Sequence, residues 1–430
     1  MTARRHFLLA CLAAGCAPWV RGESMARPHV LVVGGGFGGA TAARFLREWS
    51  AGAVKVTLVE RNRELVSCPL SNRVLSGDAR LDSLRFGYGG LRHAGIDVLH
   101  QDVVALDPGA RELRLADGRH LAGDRILLAP GIDFQWEAIP ALADPDRRGQ
   151  VLHAWKAGAQ TLELARRIAA LRDGGVLAIS IPRPPFRCPP GPYERVSLIA
   201  DYFRRRKPRC KLLVADANAE VIAKPDLFRQ AWRELYPGIV EYLPEHGLED
   251  IDLARGELRT QLGPLRADLL NVIPPQRAGD LALAAGMPLA GGAWVEIDWL
   301  THEAKGLPGI HVIGDAVAAV PGMPKSAHLA NQQAKRAAAA ILDMLAGRSP
   351  QPAPLLANTC YSFVSADDAV HVAAMFRYSD ATRRVEQVAG AGGLSVARSA
   401  HEGRLALDWA RGLWHEALGP PGARRAKAGA

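Results

Sequence analysis

Cys188 and Cys360 stand far apart in this chain of 430 residues, each in a setting suited to sulfur chemistry. The first lies in Phe186-Arg187-Cys188-Pro189-Pro190-Gly191-Pro192-Tyr193-Glu194-Arg195, the second in Asn358-Thr359-Cys360-Tyr361-Ser362. A thiolate is the nucleophile of thiol–disulfide exchange, and neighbouring cations such as Arg187, Arg195 and Lys325 would attract an anion and lower a thiol pKa. Glu194 follows Cys188 by six residues, at the expected start of a helix. Its carboxylate is placed to take a proton from a sulfhydryl, or simply to interact with the helix dipole. Cys68, in Cys68-Pro69-Leu70-Ser71-Asn72, is a third thiol in an unusual setting, whereas Cys210 inside an apolar run reads as an inert core thiol. There is no Cys-x-x-Cys-His, so the chain attaches no c-type haem of its own, and no His/Cys spacing points to structural zinc.

The elements that must carry these residues begin at His29-Val30-Leu31-Val32-Val33, an apolar β-branched run that predicts a buried parallel strand. It runs into Gly34-Gly35-Gly36-Phe37-Gly38-Gly39, then a helix over 40–48, a strand over 54–59 and Glu60. Gly34, Gly36 and Gly39 match the dinucleotide fingerprint, with Glu60 placed to accept from ribose hydroxyls. Strand, turn, helix, strand and acid in that order make a strong signal where a bare glycine pattern is weak. Two later strands, 126–129 ending at Pro130-Gly131 and 309–314 ending at Asp315, resemble the other signatures of FAD enzymes of the glutathione-reductase type. That resemblance implies an FAD domain split into two parts and closed by a helix over 327–346, with Asp315 on the ribityl chain; an N-cap or turn role is the plain alternative.

Between those parts a second α/β unit is expected: a strand over 175–181, a helix over 193–206 and a strand from 211 to Asp216. Relatives that use NAD(P)H carry a second glycine turn here. This chain has Pro182-Arg183-Pro184-Pro185-Phe186-Arg187-Cys188-Pro189-Pro190-Gly191 instead. Prolines lack the N–H donors a pyrophosphate needs, so NAD(P)H is not expected as a substrate.

Composition sets outer bounds. Hydrophobic residues make up 48% and charged residues 23%, ordinary for a globular protein. The formal net charge is +9, partly from Arg4, Arg5 and Arg21 near the start and Arg424, Arg425 and Lys427 at the end. No basic stripe interleaved with aromatics marks a nucleic-acid footprint. Ala3-Arg4-Arg5-His6-Phe7-Leu8-Leu9 and the short apolar run after it read as a twin-arginine export signal, hence a periplasmic protein with no transmembrane anchor. Disulfides persist in that compartment.

The chain resembles the flavoprotein subunit of flavocytochrome c sulfide dehydrogenase, with sulfur-oxidation flavoproteins and sulfide:quinone reductases as wider relatives. The resemblance rests on Cys68 to Asn72, His153-Ala154-Trp155-Lys156-Ala157-Gly158, Phe186 to Arg195, Asn271 to Gly279, Met323-Pro324-Lys325-Ser326 and Asn358 to Ser362. Pro69 and Phe37 depart from the pattern without touching a reactive atom. The resemblance implies an α/β fold with two Rossmann-like domains of the glutathione-reductase kind plus a C-terminal α+β interface region. The expected divisions are an export signal over 1–25, an FAD domain over 26–145 and 280–346, and a second Rossmann-like domain over 146–279. A flavin-covering region over 347–418 and a disordered basic tail over 419–430 complete them. The family also implies a redox disulfide between Cys188 and Cys360 over the flavin, a thioether from Cys68 to FAD, and Lys325 among the cofactor-binding residues. The implied activity is oxidation of sulfide to sulfur or polysulfide, with electrons passed to a small c-type cytochrome subunit in a heterodimer. A membrane-surface sulfide:quinone reductase is one alternative; a non-turnover flavoprotein that reactivates a sulfur-oxidation partner is another. A short amphipathic helix near 405–414, with Trp409 and Trp414, would cover the flavin, face a partner or touch a membrane.

Overall fold

The structure, a computed structural model, describes residues 27–420, so the export signal and the end of the basic tail lie outside the described residues. Its first layer is a five-stranded parallel sheet in the order Ile310–Val312, Arg125–Leu128, His29–Val33, Lys55–Val59, Asp97–Leu99. Both faces are covered, and Val30, Leu31, Val32, Leu127 and Ile310 have no exposed surface, as a parallel sheet requires. The helices Phe37–Trp49 and Ala327–Leu345 lie together on one face. Their contact is built from small residues, Ala40, Ala43, Ala334, Ala337 and Ala338, which let the backbones approach closely. The strand Ile310–Val312 returns to this sheet after the whole second unit, so the sheet is assembled from two separate stretches of chain.

The second unit is a four-stranded parallel sheet in the order Val240–Leu243, Lys211–Asp216, Val176–Ile181, Leu269–Val272. The helix Gly191–Arg206 connects its two central strands and buries Val196, Leu198, Ile199 and Phe203. A second helix, Pro225–Leu235, packs beside it through Phe228 and Trp232.

The C-terminal region is a three-stranded antiparallel sheet, Leu355–Phe363, Ala369–Ser379 and Arg384–Leu394, followed by the helix Ala400–Leu418. Burial alternates along the first of these strands, so Leu356, Asn358, Cys360 and Ser362 all face inward. The final helix is longer than the ten residues its sequence pattern marks. Ser399 Oγ accepts from Glu402 N at its start, a cap that adds a full turn before the tryptophans. Both tryptophans point inward. Trp414 stacks against Phe86 of the first unit with ring centroids 4.6 Å apart and donates to Ser67 Oγ, so the helix straps the C-terminal region onto that unit. Among the described residues no helix is long and apolar enough to cross a membrane, and no three side chains group as metal ligands.

Candidate active site

The first strand ends in a turn that only glycine can make. Gly34 has φ +95°, and a Cβ there would sit 2.4 Å from Ala129 O. At Gly39 a Cβ would meet Gly34 O at 1.8 Å. Gly36 is different, because a Cβ there meets nothing within 4 Å. It opens instead on a cleft of about 950 Å³ that runs past Glu60, Gly131, Lys156, Arg187, Asp315 and Cys68. Glu60 ends the second strand, where its Oε2 accepts from Gly35 N at 2.6 Å and its Oε1 from the backbone and side chain of Asn62.

At the far end of the cleft Asp315 Oδ1 is buried and has no hydrogen-bond partner, and burial pushes its carboxyl up. An orphaned buried acceptor calls for a donor from something not made by the protein. A glycine turn at a helix N-terminus, an acid at the second strand and this acceptor together fit a dinucleotide with hydroxyl groups along its length. Glu60 and Gly36 would hold its nucleotide end and Asp315 its polyol chain. The flavin in such a cofactor supplies a two-electron acceptor that can release electrons singly.

Cys68 lines this cleft and also a small cavity of about 70 Å³ on its other side. That cavity brings together Cys188, Cys360 and Glu194 under Trp155, Tyr361 and Trp409. Cys188 arrives on the loop between the strand Val176–Ile181 and the helix Gly191–Arg206, with φ +58°. The loop is pinned by Cys188 N donating to Lys325 O at 2.8 Å and Arg187 N donating to Gln276 Oε1 at 2.9 Å. A Cβ at Gly191 would lie 2.9 Å from both Cys188 Sγ and the Trp155 ring, so any larger residue there must displace one of them. Cys360 arrives from the inward face of the C-terminal sheet.

Cys188 and Cys360 line the same cavity and are not bonded to one another. The neighbouring thiol and burial push Cys188 up, whereas the same pairing, helped by the Lys224 ammonium, pulls Cys360 down. Burial raises the Cys68 thiol. Glu194 is a buried carboxylate whose Oε1 accepts from Phe363 N at 2.9 Å and whose Oε2 accepts from Asn72 Nδ2 at 2.8 Å. Burial raises its pKa, and its charge acts on both cysteines.

The cations are arranged differently from the sequence expectation. Arg195 is buried and fully engaged, donating to Asn72 Oδ1, the carbonyls of His153 and Ala154, and Asn271 Oδ1, with its guanidinium 4.9 Å from the centre of the Trp155 ring. Lys325 donates to the carbonyls of Asp315 and Val317 and lies 3.8 Å from the Trp294 ring centre; burial lowers its ammonium to about 7. Lys325 binds backbone away from the thiols, and Arg195, although it lines their cavity, has its guanidinium held by carbonyl and amide oxygens. The cation beside Cys360 is Lys224, which no local motif announces.

The acid that ends the second strand of the second unit is engaged by the protein itself. Asp216, at the end of the strand Lys211–Asp216, accepts from Tyr193 Oη at 2.8 Å, Tyr242 Oη at 2.9 Å, Asn218 N at 3.0 Å and Asn218 Nδ2 at 2.7 Å. The carboxylate has no exposed surface.

Residues 161–274 match the family "sulfide dehydrogenase (flavocytochrome c) flavoprotein chain, central", and residues 352–418 match "flavocytochrome c sulphide dehydrogenase, flavin-binding". Residues 28–167 match the pyridine nucleotide-disulphide oxidoreductase family. The chain is 53% identical over 46 residues to the sulfide dehydrogenase (flavocytochrome c) flavoprotein chain of Chlorobaculum thiosulfatiphilum, covering 11% of this chain and 94% of that sequence. It is 28% identical over 346 residues to a terpredoxin reductase of a Pseudomonas species, 76% of this chain and 77% of that one. A match to ferroptosis suppressor protein 1 of Taeniopygia guttata, 35% identical, spans 24% of this chain and only 27% of that relative. The sulfide:quinone oxidoreductase structure from Aquifex aeolicus shares the fold with a TM-score of 0.75 at 16% identity, over 91% of this chain and 92% of that one. A flavin cleft joined to a buried thiol pair, carried by sequence of this kind, makes the chain an oxidoreductase and a member of the flavocytochrome c sulfide dehydrogenase flavoprotein family.

Proposed function

We propose that the protein oxidises sulfide through Cys188 and Cys360 and passes the electrons, via FAD, to a small c-type cytochrome subunit outside the cytoplasm. The observation that carries this reading is the apposed thiol pair beside a buried carboxylate, in a cavity that meets the flavin cleft at Cys68. With the pair oxidised, hydrosulfide attacks one cysteine sulfur; the disulfide breaks, a persulfide forms, and the other cysteine leaves as a thiolate. Glu194 takes the sulfhydryl proton and returns it to a cysteine sulfur as the chain is released in the next step. A second hydrosulfide attacking the outer persulfide sulfur releases hydrogen disulfide anion and leaves the pair as one thiol and one thiolate. That reduced pair then holds the two electrons that a bound flavin would accept, Cys188 and Cys360 re-forming their disulfide with release of a proton.

Cys68 is the residue proposed to hold the flavin covalently, which supports retention of the cofactor after export by the twin-arginine route. Acid precipitation should leave the yellow colour with the protein; free FAD in the supernatant would sink the thioether. For the reaction itself, anaerobic sulfide should bleach the flavin without a partner protein. Re-oxidation by a c-type cytochrome rather than by a short-chain quinone identifies the acceptor class. Absence of bleaching would point to the non-turnover alternative, and rapid bleaching by NADH or NADPH would overturn the reading altogether.

A further inference from the structure

Lys224 is buried, with only 3% of its surface exposed. Three features make that placement unfavourable on its own account. Its backbone is left-handed, φ +55° and ψ +46°, although it carries a full side chain. It is the N-cap of the helix Pro225–Leu235, so its cation sits near the positive end of the helix dipole. It forms no ion pair among the described residues; its ammonium donates to Ser362 Oγ at 2.9 Å and to the carbonyls of Cys360 at 3.1 Å and Val370 at 3.4 Å. A buried, unpaired cation in strained backbone signals a constraint other than local stability.

The constraint is visible in what surrounds it. Ser362 and Val370 face each other across the antiparallel pair Leu355–Phe363 and Ala369–Ser379, with Cys360 two residues away on the same face as Ser362. Lys224 therefore grips the sheet at the cysteine. The acidic groups that its charge feels are Cys360, Glu194, Cys188 and Glu402. Glu402 is taken up by His371 and Ser395, and Glu194 by Asn72 and Phe363 N. Other cations near the pair are held elsewhere: Arg195 and Lys325 by carbonyls, Arg187 by Trp155 O, and Arg73 by Ala366 O and the Phe363 ring.

We propose that Lys224 is a positioning residue that makes Cys360, rather than Cys188, the thiolate of the reduced pair. Lys224 reaches the strand that carries Cys360, at that residue's own carbonyl and at Ser362 Oγ, and its charge draws the Cys360 thiol down; among the described residues it makes no hydrogen bond to the Cys188 loop. The assignment rests on the two cysteines working as a redox pair, but not on sulfide being their substrate.

The test is site-resolved labelling of the reduced, flavin-loaded protein with methyl methanethiosulfonate between about pH 5 and pH 9, read by peptide mass spectrometry. Access alone favours Cys188, which is the more exposed of the two. Charge favours Cys360, so Cys360 reacting first in the native protein supports the proposal and Cys188 first overturns it. Lys224→Met should move the Cys360 midpoint up by about one pH unit, slowing its labelling roughly tenfold below that midpoint. Lys224→Arg should keep it low. Ser362→Ala removes a hydrogen bond but no charge and should leave the midpoint in place; an equal shift in that variant would reduce Lys224 to a structural tie and overturn the proposal. Should the methionine variant fail to fold, native labelling order together with the arginine and alanine variants still decides. Sulfide bleaching is scored separately: ordered labelling without bleaching keeps the lysine's role and sinks the sulfide reading.

Discussion

Glu194→Gln is the substitution that most sharply separates a proton-transfer group from a packing residue. The side chain bridges three parts of the fold, taking one hydrogen bond from Phe363 N and one from Asn72 Nδ2. Glutamine has one acceptor oxygen and one donor amide, so whichever way it points, one of these two donors faces another donor. Asn72 cannot turn over to relieve this, because its Nδ2 also donates to Gly191 O at 3.2 Å and its Oδ1 accepts from Arg195 Nε at 3.1 Å. The loss of one hydrogen bond to a charged group costs about 1.5–3 kcal/mol.

The pH dependence fixes the sign. Burial raises the folded-state pKa of Glu194 above its ordinary value. Its contribution to native stability is therefore fully present below the unfolded pKa and is lost as pH rises through the folded one. The glutamine variant lacks this dependence, so the stability gap between the two proteins should narrow as pH rises. Kinetically, removing a general base slows the step it serves by roughly 10²–10⁴. Stopped-flow bleaching of the flavin by sulfide at about pH 7 should show that loss, together with loss of the rising acid limb in the rate profile. Bleaching within about threefold of the native rate, despite the expected destabilisation, would refute the proton-transfer role and leave Glu194 as a bridge.

Gly39→Ala places a methyl 1.8 Å from Gly34 O, so the glycine turn must distort, and the flavin-to-protein absorbance ratio of the purified variant should collapse. Tyr193→Phe removes one of the four donors to Asp216 and should lower unfolding stability by about 1–3 kcal/mol in urea, and because the same helix end carries Glu194, sulfide bleaching should slow as well. Trp409→Ala enlarges a cavity of about 70 Å³, and thiols bearing a carbon chain, such as free cysteine, should begin to bleach a flavin that they leave untouched in the native protein.

What the sequence revealed and concealed follows from the range of each interaction. The first strand, its glycine turn and Glu60 are encoded within about thirty residues, and the structure places them as those local signals imply. The final helix was underestimated because hydrophobic spacing alone marks only its middle. Its true start is set by Ser399 capping Glu402, a signal of another kind. Arg195 stands in the Cys188 stretch and Lys325 in a separate motif, yet the donors of both are occupied by carbonyl and amide oxygens, which sequence spacing does not reveal. Lys224 shows the converse. It lies 136 residues from Cys360, joined only by tertiary packing, and the one local mark at its position is the proline that starts the next helix.

The second unit explains why a nucleotide-binding architecture can serve thiol chemistry. Strand, loop and helix still converge on the flavin side of the molecule, because the parallel sheet and its crossover helix dictate where the loop emerges. In a dinucleotide site that loop must be thin enough for backbone to touch phosphate, and the acid at the next strand must be free for a ribose. Here the loop is thickened by prolines and pinned to Lys325 and Gln276, while Asp216 is saturated by Tyr193, Tyr242 and Asn218. Tyr193 does both jobs, since it comes from the first turn of the helix that follows the cysteine loop. Filling the old ribose position from within fixes that helix end, and the same helix end carries Glu194 and supports Cys188 through Gly191. Closing one site is therefore part of what holds the other in register, and the two features belong to a single structural change.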